Sequence, residues 1–405
     1  MGLLKEVFKD IKPEEGSEEI KLFLKRLEGM IQKEGINAKV FAGGSLAKGT
    51  FLKNDYDVDV FVKFDLRYKG KDISKILGKI LKPLKPELVH GSRDYFSIDD
   101  ELKFEIVPVL DITKAEQAEN IMDMSPLHVN WVIKNSNTKL RNEIRLTKQF
   151  CKSIGVYGAE SYIKGFSGHV LDILVIHYGG FLKLLRNAVK WRKKEVIDYH
   201  NVHKGKALQK INKSKTLAPL IVVDPIMPER NASAALSMEK FLLFKGSASR
   251  FLKKPSKKFF NIERVIKSKL KIKGGEELFF IKAEPLEGKK DIVGSKLLKI
   301  YVFMKRKIKG EGFNILECGW EFKDYVVFYF IVEKRILSSI VTLNGPPLNA
   351  KNNVKNFKKK HKNCFITSGK IFARENRKYR RIDILIEDLI KDKYIKERIK
   401  NISLS

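Results

Sequence analysis

Apolar positions recur along this chain with two periods. In the first part, Leu22, Phe23, Leu27 and Met30 fall on one helical stripe, which predicts a helix from Pro13 through Glu34 closed by Gly35. Val58, Val60, Val62 and Phe64 alternate with polar or larger residues, which predicts a strand over Asp57–Phe64. Strands are also expected at Ala38–Phe41, Ser97–Ile98 and Leu102–Val109, with a turn at Gly43-Gly44 and a helix over 70–82. The first 115 residues therefore read as mixed α/β.

From about 125 to 250 the period is helical. Leu140, Ile144, Thr147, Cys151 and Ile154 share a face, and Gly155 stops that helix. Ser167 can cap a second helix running through Leu185, apolar on most sides and hence buried. A third is expected from Ala232 to Lys245. Lys253, Lys254, Lys257 and Lys258 around Pro255 suggest a linker. Beyond it, Leu278–Lys282, Leu297–Met304, Tyr325–Val332 and Ile336–Leu343 read as strands, and Arg381–Ile399 as a terminal helix. We divide the chain into a head, residues 1–125, a helical neck and pocket region, 126–250, and a body and tail, 251–405.

Charge changes this picture. The 405 residues carry 81 Lys+Arg against 48 Asp+Glu, a net of +33. Such self-repulsion adds nothing to a fold and points to a polyanionic partner, of which nucleic acid is the commonest. A thermophilic composition would raise Glu along with Lys. Cys151, Cys318 and Cys364 are too scattered for a disulfide framework or a metal site, and suit ordinary thiols in a reducing cytoplasm. The start, MGLLKEVFKDIKPEE, is charged too early for a secretory signal, and no apolar run approaches membrane-spanning length, so no membrane association is expected.

The candidate chemistry centres on Gly44-Ser45 followed by Asp57-Val58-Asp59-Val60. On a strand, Asp57 and Asp59 project to one face. Paired carboxylates repel each other unless a divalent cation lies between them, and oxygen ligands suit Mg²⁺. Glu105, alternating with Phe104 and Ile106, offers a third carboxylate. Three such groups on neighbouring strands can hold two metal ions about 4 Å apart. Gly44 permits close backbone approach to phosphate, and Ser45 supplies a hydroxyl and N–H groups. A P-loop is excluded, because GSLAKGT has no Lys immediately before its Thr. A D-x-D or G-S pair alone is common on surfaces; their combination with an apolar strand and a later acidic strand is not.

The segment GGSLAKGTFLKNDYDVDVFVKF resembles the signature of the polymerase-β-like nucleotidyltransferase superfamily. RLTKQFCKSIGVYGAE, KGFSGHVLDILVIHYG and VVDPIMPERNASAALS resemble the neck and nucleotide pocket of archaeal-type (class I) CCA-adding enzymes, and NGPP resembles their tail. The resemblance implies an α+β multidomain fold with a mixed-sheet head, helical neck, body and α/β RNA-binding tail. It implies a tRNA nucleotidyltransferase that adds C, C and A to the tRNA 3′ end from CTP and ATP without a nucleic-acid template, by a two-metal mechanism with Mg²⁺. The alternatives are a poly(A) polymerase or other terminal RNA nucleotidyltransferase, and a catalytically inactive RNA-binding relative.

Residue by residue, the resemblance implies that Asp57 and Asp59 bind metal and that the third acid orients or deprotonates the attacking hydroxyl. Glu105 in Glu-Ile-Val-Pro stands where the family carries Asp, and Asp111 is the alternative. Gly44, Ser45, Lys48, His128, Lys148 and Tyr157 bind the nucleotide, with the last two on its triphosphate. Asp224 and Arg230 form the base end of the pocket. His169 and His177 read as packing or capping, because no Cys or acid stands at metal spacing, and Trp131, Trp191 and Trp320 read as core.

Three basic clusters suggest a track for an RNA backbone. Lys267, Lys269, Lys271 and Lys273 alternate as if on one face of a strand. Lys358, Lys359, Lys360 and Lys362 form a second cluster, and Arg374, Arg377, Lys378, Arg380 and Arg381 a third. The expected partners are tRNA, held at its acceptor stem and T-arm, together with CTP and ATP. The oligomeric state stays open, a homodimer included.

Overall fold

The structure is a computed structural model that describes residues 2–13, 18–53, 57–100, 102–323 and 325–405. The chain divides into two compact units, Met1–Glu263 and Arg264–Ser405.

The first unit opens with α1 (Gly2–Ile11) and α2 (Glu18–Lys33) rather than with one helix from Pro13. Proline has no N–H to give an upstream turn, so α1 ends ahead of it; residues 14–17 of the expected helix lie outside the described residues. The buried stripe of α2 is Ile20, Phe23, Leu27 and Ile31, whereas Leu22 is exposed. Then come β1 (Ala38–Ala42), the short helix α3 (Gly44–Ala47) and β2 (Val58–Phe64). They are followed by α4 (Ile73–Leu81), β3 (Glu87–Val89), β4 (Tyr95–Asp99) and β5 (Lys103–Leu110). The strands form a mixed sheet in the order β1-β2-β5-β4-β3, with β2 and β5 parallel. Val58, Val60, Val62 and Phe64 join Phe104 and Ile106 in one core beneath α2 and α4. Phe61, Val107 and Val109 cluster separately on the other face.

Asp123, which the sequence pattern does not single out, anchors the segment after β5. Fully enclosed, it accepts hydrogen bonds from both Nη groups of Arg93 and from the backbone N–H groups of Leu110, Glu119 and Asn120.

The helical part comprises α5 (Ser125–Asn135), α6 (Thr138–Ser153), α7 (Gly168–Tyr178) and α8 (Phe181–Lys190). The helix expected to run unbroken from Ser167 through Leu185 is divided. Gly179 and Gly180 take φ of +74° and +131°, conformations closed to most L-residues, and the two pieces bend by 93°. No single helix among the described residues is long and apolar enough to cross a membrane. Next are β6 (Glu195–Ile197), α9 (Ala207–Lys210), β7 (Leu220–Val222) and α10 (Met238–Lys253). The last begins later than Ala232, because Ser237 caps it by accepting from Lys240 N–H. The expected linker at 253–258 is part of this unit: Phe259 and Phe260, just beyond it, pack against Phe150.

The second unit contains β8 (Glu276–Pro285), α11 (Lys290–Gly310), β9 (Ile315–Phe322) and β10 (Val326–Glu333). It continues with β11 (Ile340–Pro347), α12 (Lys351–Lys360), β12 (Cys364–Thr367) and β13 (Lys370–Asn376). It ends with α13 (Ile382–Lys391), α14 (Lys393–Lys396) and β14 (Ile399–Leu404). An antiparallel sheet, β14-β8-β10-β9, packs against α11 and α13, and a smaller sheet runs β11-β13-β12.

Three expectations fail in this unit. Leu297–Met304 is helix, not strand: Leu297, Ile300, Met304 and Ile308 form the buried stripe of α11. The lysine series 267–273 is a 3₁₀ turn at Lys267–Lys269 followed by loop. The terminal helix stops at Asp392, which caps α14 by accepting from Tyr394 N–H, and the chain returns as β14.

Candidate active site

Register decides which carboxylates meet. In the parallel pairing of β2 with β5, Asp59 lies directly beside Glu105. Asp111 follows the far end of β5 and pairs instead with Lys63 at 2.5 Å. The six residue steps from Glu105 to Asp111 span about 20 Å of extended chain. Asp57, immediately before β2, is exposed, and Asp59 is half-buried. Burial, then the charges of Glu105 and Asp57, push the Asp59 carboxyl up from 3.8 to about 6, against the pull of Lys48 and Lys148. The same crowding reaches Tyr95 on β4, unnoticed in the sequence. Burial and the charges of Glu105, Asp57 and Asp59 push its phenol up to about 12. A carboxylate crowded by two others is a fitting seat for a divalent cation, which relieves the repulsion that raises Asp59.

The Gly43-Gly44 turn is in fact the start of α3, held to β2 by Gly43 N–H donating to Asp59 C=O at 2.7 Å. Gly44 has φ of +49°, and a methyl group added there would lie 1.5 Å from Asp59 Oδ2. Only glycine allows this approach. Ser45 sits in the first turn of α3, and Lys48 directly follows its last residue.

Behind this cluster, α7 brings together groups from three segments. Lys48 Nζ lies 2.9 Å from Asp172 Oδ2, and Lys148 Nζ lies 3.5 Å from Asp172 Oδ1. Lys148 also donates to Thr50 Oγ1 at 2.9 Å. A methyl group added at Gly168 would stand 3.1 Å from the Tyr157 hydroxyl and 3.7 Å from Lys148 Nζ. Tyr157 and Lys148 therefore converge on the N-terminus of α7. Sequence reasoning names Lys48, Lys148 and Tyr157 but overlooks Thr50 and Asp172. Asp172 lies in the helix that reads only as packing.

The turn after β7 builds the third part. Asp224 is fully enclosed and accepts from the backbone N–H of Ile226 at 2.9 Å and Met227 at 3.2 Å, closing its own turn. Its Oδ1 meets His128 Nε2 at 2.8 Å and its Oδ2 accepts from Arg230 Nη1 at 2.8 Å. Burial raises the Asp224 carboxyl, but the His128 hydrogen bond and charge win and hold it far below the usual carboxylate range. The His169 ring lies 4.3 Å from that of His128. Ligand atoms of His128, His169 and Asp224 all lie within 4.8 Å of one another, a second donor set that could hold a divalent cation, one of borderline softness by its imidazoles. An acid does therefore stand beside His169, brought from a distant segment; His177 is exposed at the other end of α7. Trp131 and Trp191 are buried, Trp320 half-buried.

In the second unit Lys267, Lys269, Lys271 and Lys273 are all exposed. Arg377 donates to Ser338 C=O and Glu311 C=O, and Arg380 to Leu337 C=O, so both fasten loops to the sheet region.

Three family descriptions tile the chain: a nucleotidyltransferase domain over residues 18–148, a tRNA nucleotidyltransferase second domain over 142–261, and a CCA-adding enzyme C-terminal domain over 277–401. The CCA-adding enzyme of Sulfurisphaera tokodaii is 32% identical over 403 residues, covering 96% of this chain and 91% of that protein. That of Nanoarchaeum equitans is 34% identical over 353 residues, covering 85% and 86%. That of Methanocaldococcus jannaschii is 31% identical over 412 residues, covering 96% and 90%. A solved cytoplasmic RNA terminal U-transferase has the same core fold, with a TM-score of 0.52 at 14% identity over 65% of this chain and 98% of that one. The mixed-sheet head and the length of the match lead to one assignment: the chain belongs to the CCA-adding enzymes, a family of nucleotidyltransferases.

Proposed function

We propose that the carboxylates on β2 and β5 and the enclosed groups around α7 are the catalytic and nucleotide-binding parts of a CCA-adding tRNA nucleotidyltransferase. The observation that carries this is the Asp59–Glu105 pairing, which sets two carboxylates side by side at the edge of the Lys48–Lys148 cluster. Asp57, Asp59 and Glu105 would hold Mg²⁺. Bound there, the cation screens the triphosphate and favours the ionised 3′-hydroxyl of the tRNA. Lys48, Lys148 and Tyr157 hold the triphosphate of CTP or ATP, with Gly44 and Ser45 approaching it through the backbone. Glu105 orients the attacking hydroxyl. Attack on the α-phosphorus releases pyrophosphate and extends the tRNA by one nucleotide. Arg230, held by Asp224, presents a planar fork of donors to the base, and His128 fixes the other side of that carboxylate.

The deciding experiment incubates the protein with Mg²⁺, each labelled NTP and tRNA lacking its terminal C-C-A. Incorporation of two C and one A supports the reading. Long A tails would identify a poly(A) polymerase, and no incorporation an inactive relative. The three unpaired thiols, Cys151, Cys318 and Cys364, suit a reducing cytoplasm.

The exposed lysines of 267–273 and the basic surface of α12 are proposed to contact the acceptor stem and T-arm through phosphates. An A-form helix is recognised largely by shape and backbone. Replacing Lys267, Lys269, Lys271 and Lys273 with Gln is expected to weaken tRNA binding. The log–log salt dependence should flatten by a slope of about one for each phosphate no longer neutralised. An unchanged affinity and slope would exclude them.

A further inference from the structure

The Lys48–Asp172–Lys148 arrangement holds two cations on one enclosed carboxylate. Asp172 is fully buried on α7, and neither lysine is more than slightly exposed. Burial pushes the Asp172 carboxyl up, while Lys148 and Lys48 together pull it below its ordinary value. Burial also pulls Lys148 down, which Asp172 opposes and Lys48 reinforces. Asp172 Oδ1 is left without a hydrogen bond of ordinary length, and so are both ring nitrogens of His169, three residues earlier and thus on the same face of α7. Unpartnered polar atoms gathered on one helical face beside two ammonium groups describe a polar space built for something more.

We propose that Asp172 is a positioning residue of the triphosphate clamp: its carboxylate holds the Lys48 and Lys148 ammonium groups converged while the pocket awaits a nucleotide. The proposal rests on the reading that these lysines bind the triphosphate. Two like charges in a desolvated space separate or shed a proton unless a counter-ion lies between them. The carboxylate takes the place of a phosphoryl oxygen, so a nucleotide meets a clamp already charged and in place. Asp172 touches no reacting atom; its effect passes through the lysines.

The test is Asp172→Asn, which keeps shape and one acceptor and removes the charge. KM for CTP is expected to rise about tenfold with kcat at saturating CTP kept within about twofold, the signature of lost ground-state binding. Inhibition by inorganic pyrophosphate should weaken in the same proportion while KM for tRNA stays near wild type; the thermal transition is expected to fall, because two buried ammonium groups lose their counter-ion. A purely structural role would instead lower kcat and leave the KM for CTP and the inhibition by pyrophosphate unchanged. Lys148→Met, made alongside, is expected to raise the CTP KM, and adding Asp172→Asn to it should cost little more, because both act through one group.

If Lys148→Met leaves KM unchanged, the triphosphate reading itself fails. If it raises KM while Asp172→Asn does not, only the positioning role fails. A lowered CTP KM in Asp172→Asn also overturns the proposal, showing that the carboxylate competes with phosphate. Should that variant not fold, Asp172→Glu decides. Its longer carboxylate keeps the charge but displaces the ammonium groups, so a raised KM with kcat kept is expected, and an unchanged KM overturns the proposal.

Discussion

Asp59→Asn is expected to lower nucleotide incorporation by roughly 10³-fold or more and, at the same time, to make the metal-free protein more stable above pH 6. Both effects come from the crowding of carboxylates on β2 and β5. The folded Asp59 titrates at about 6 against 3.8 for the free group. Because the folded value is raised, the native state binds the proton more tightly than the unfolded chain does. The contribution of this group is therefore most favourable below pH 3.8, declines as pH rises toward 6, and carries the whole penalty above that. A rise of this size corresponds to at most about 3 kcal/mol. The amide is neutral and escapes it. Calorimetry in EDTA at pH 7.5 should show the variant melting above wild type, with the difference shrinking toward pH 4. Adding Mg²⁺ should restore the wild type and leave the variant unmoved. A wild type that is the more stable in EDTA at pH 7.5 would show that the acids do not repel one another.

Asp224→Ala should have the largest effect on stability. The carboxylate is enclosed and accepts from His128, Arg230 and two backbone N–H groups. Its removal leaves those donors without partners, at a cost of about 3–5 kcal/mol. Here the folded value lies below the unfolded one, so the sign is reversed: the contribution is complete above the ordinary carboxylate range and is lost as pH falls below it. Urea unfolding at neutral pH and near pH 3 should show the difference between wild type and variant narrowing in acid. Nucleotide choice should suffer too, because Arg230 loses its tether. The preference for CTP and ATP over UTP and GTP in kcat/KM is expected to fall by about tenfold, close to 1.4 kcal/mol. A variant of unaltered stability and selectivity would remove Asp224 from both roles.

The carboxylate face was legible from period two alone, since Asp57, Asp59 and Glu105 alternate with residues that do fill the core beneath. What no period reveals is register. That Asp59 stands beside Glu105 and not Asp111 follows from strand pairing between segments distant in sequence. Asp172 was hidden for the same reason: its partners are Lys48, 124 residues away beside α3, and Lys148 on the preceding helix α6. Leu297–Met304 misled because Ile300, Tyr301, Val302 and Phe303 are good strand formers. Tertiary burial of every third or fourth residue overrode that propensity. The alternating lysines at 267–273 misled because the residues between them, Ser268, Leu270 and Ile272, find no core to face: Ile272 is exposed and Leu270 only half-buried. The bend after α7 was signalled by Gly179-Gly180, whose pairing inside an apolar run warranted a stop.

The approach of Gly44 to Asp59 narrows what evolution can do here. With 1.5 Å between a would-be methyl and Oδ2, a side chain at 44 would have to drive the Asp59 carboxylate out of its present position, in a backbone conformation that itself favours glycine. The two positions therefore constrain each other: any side chain gained at 44 carries with it a new placement of the carboxylate at 59.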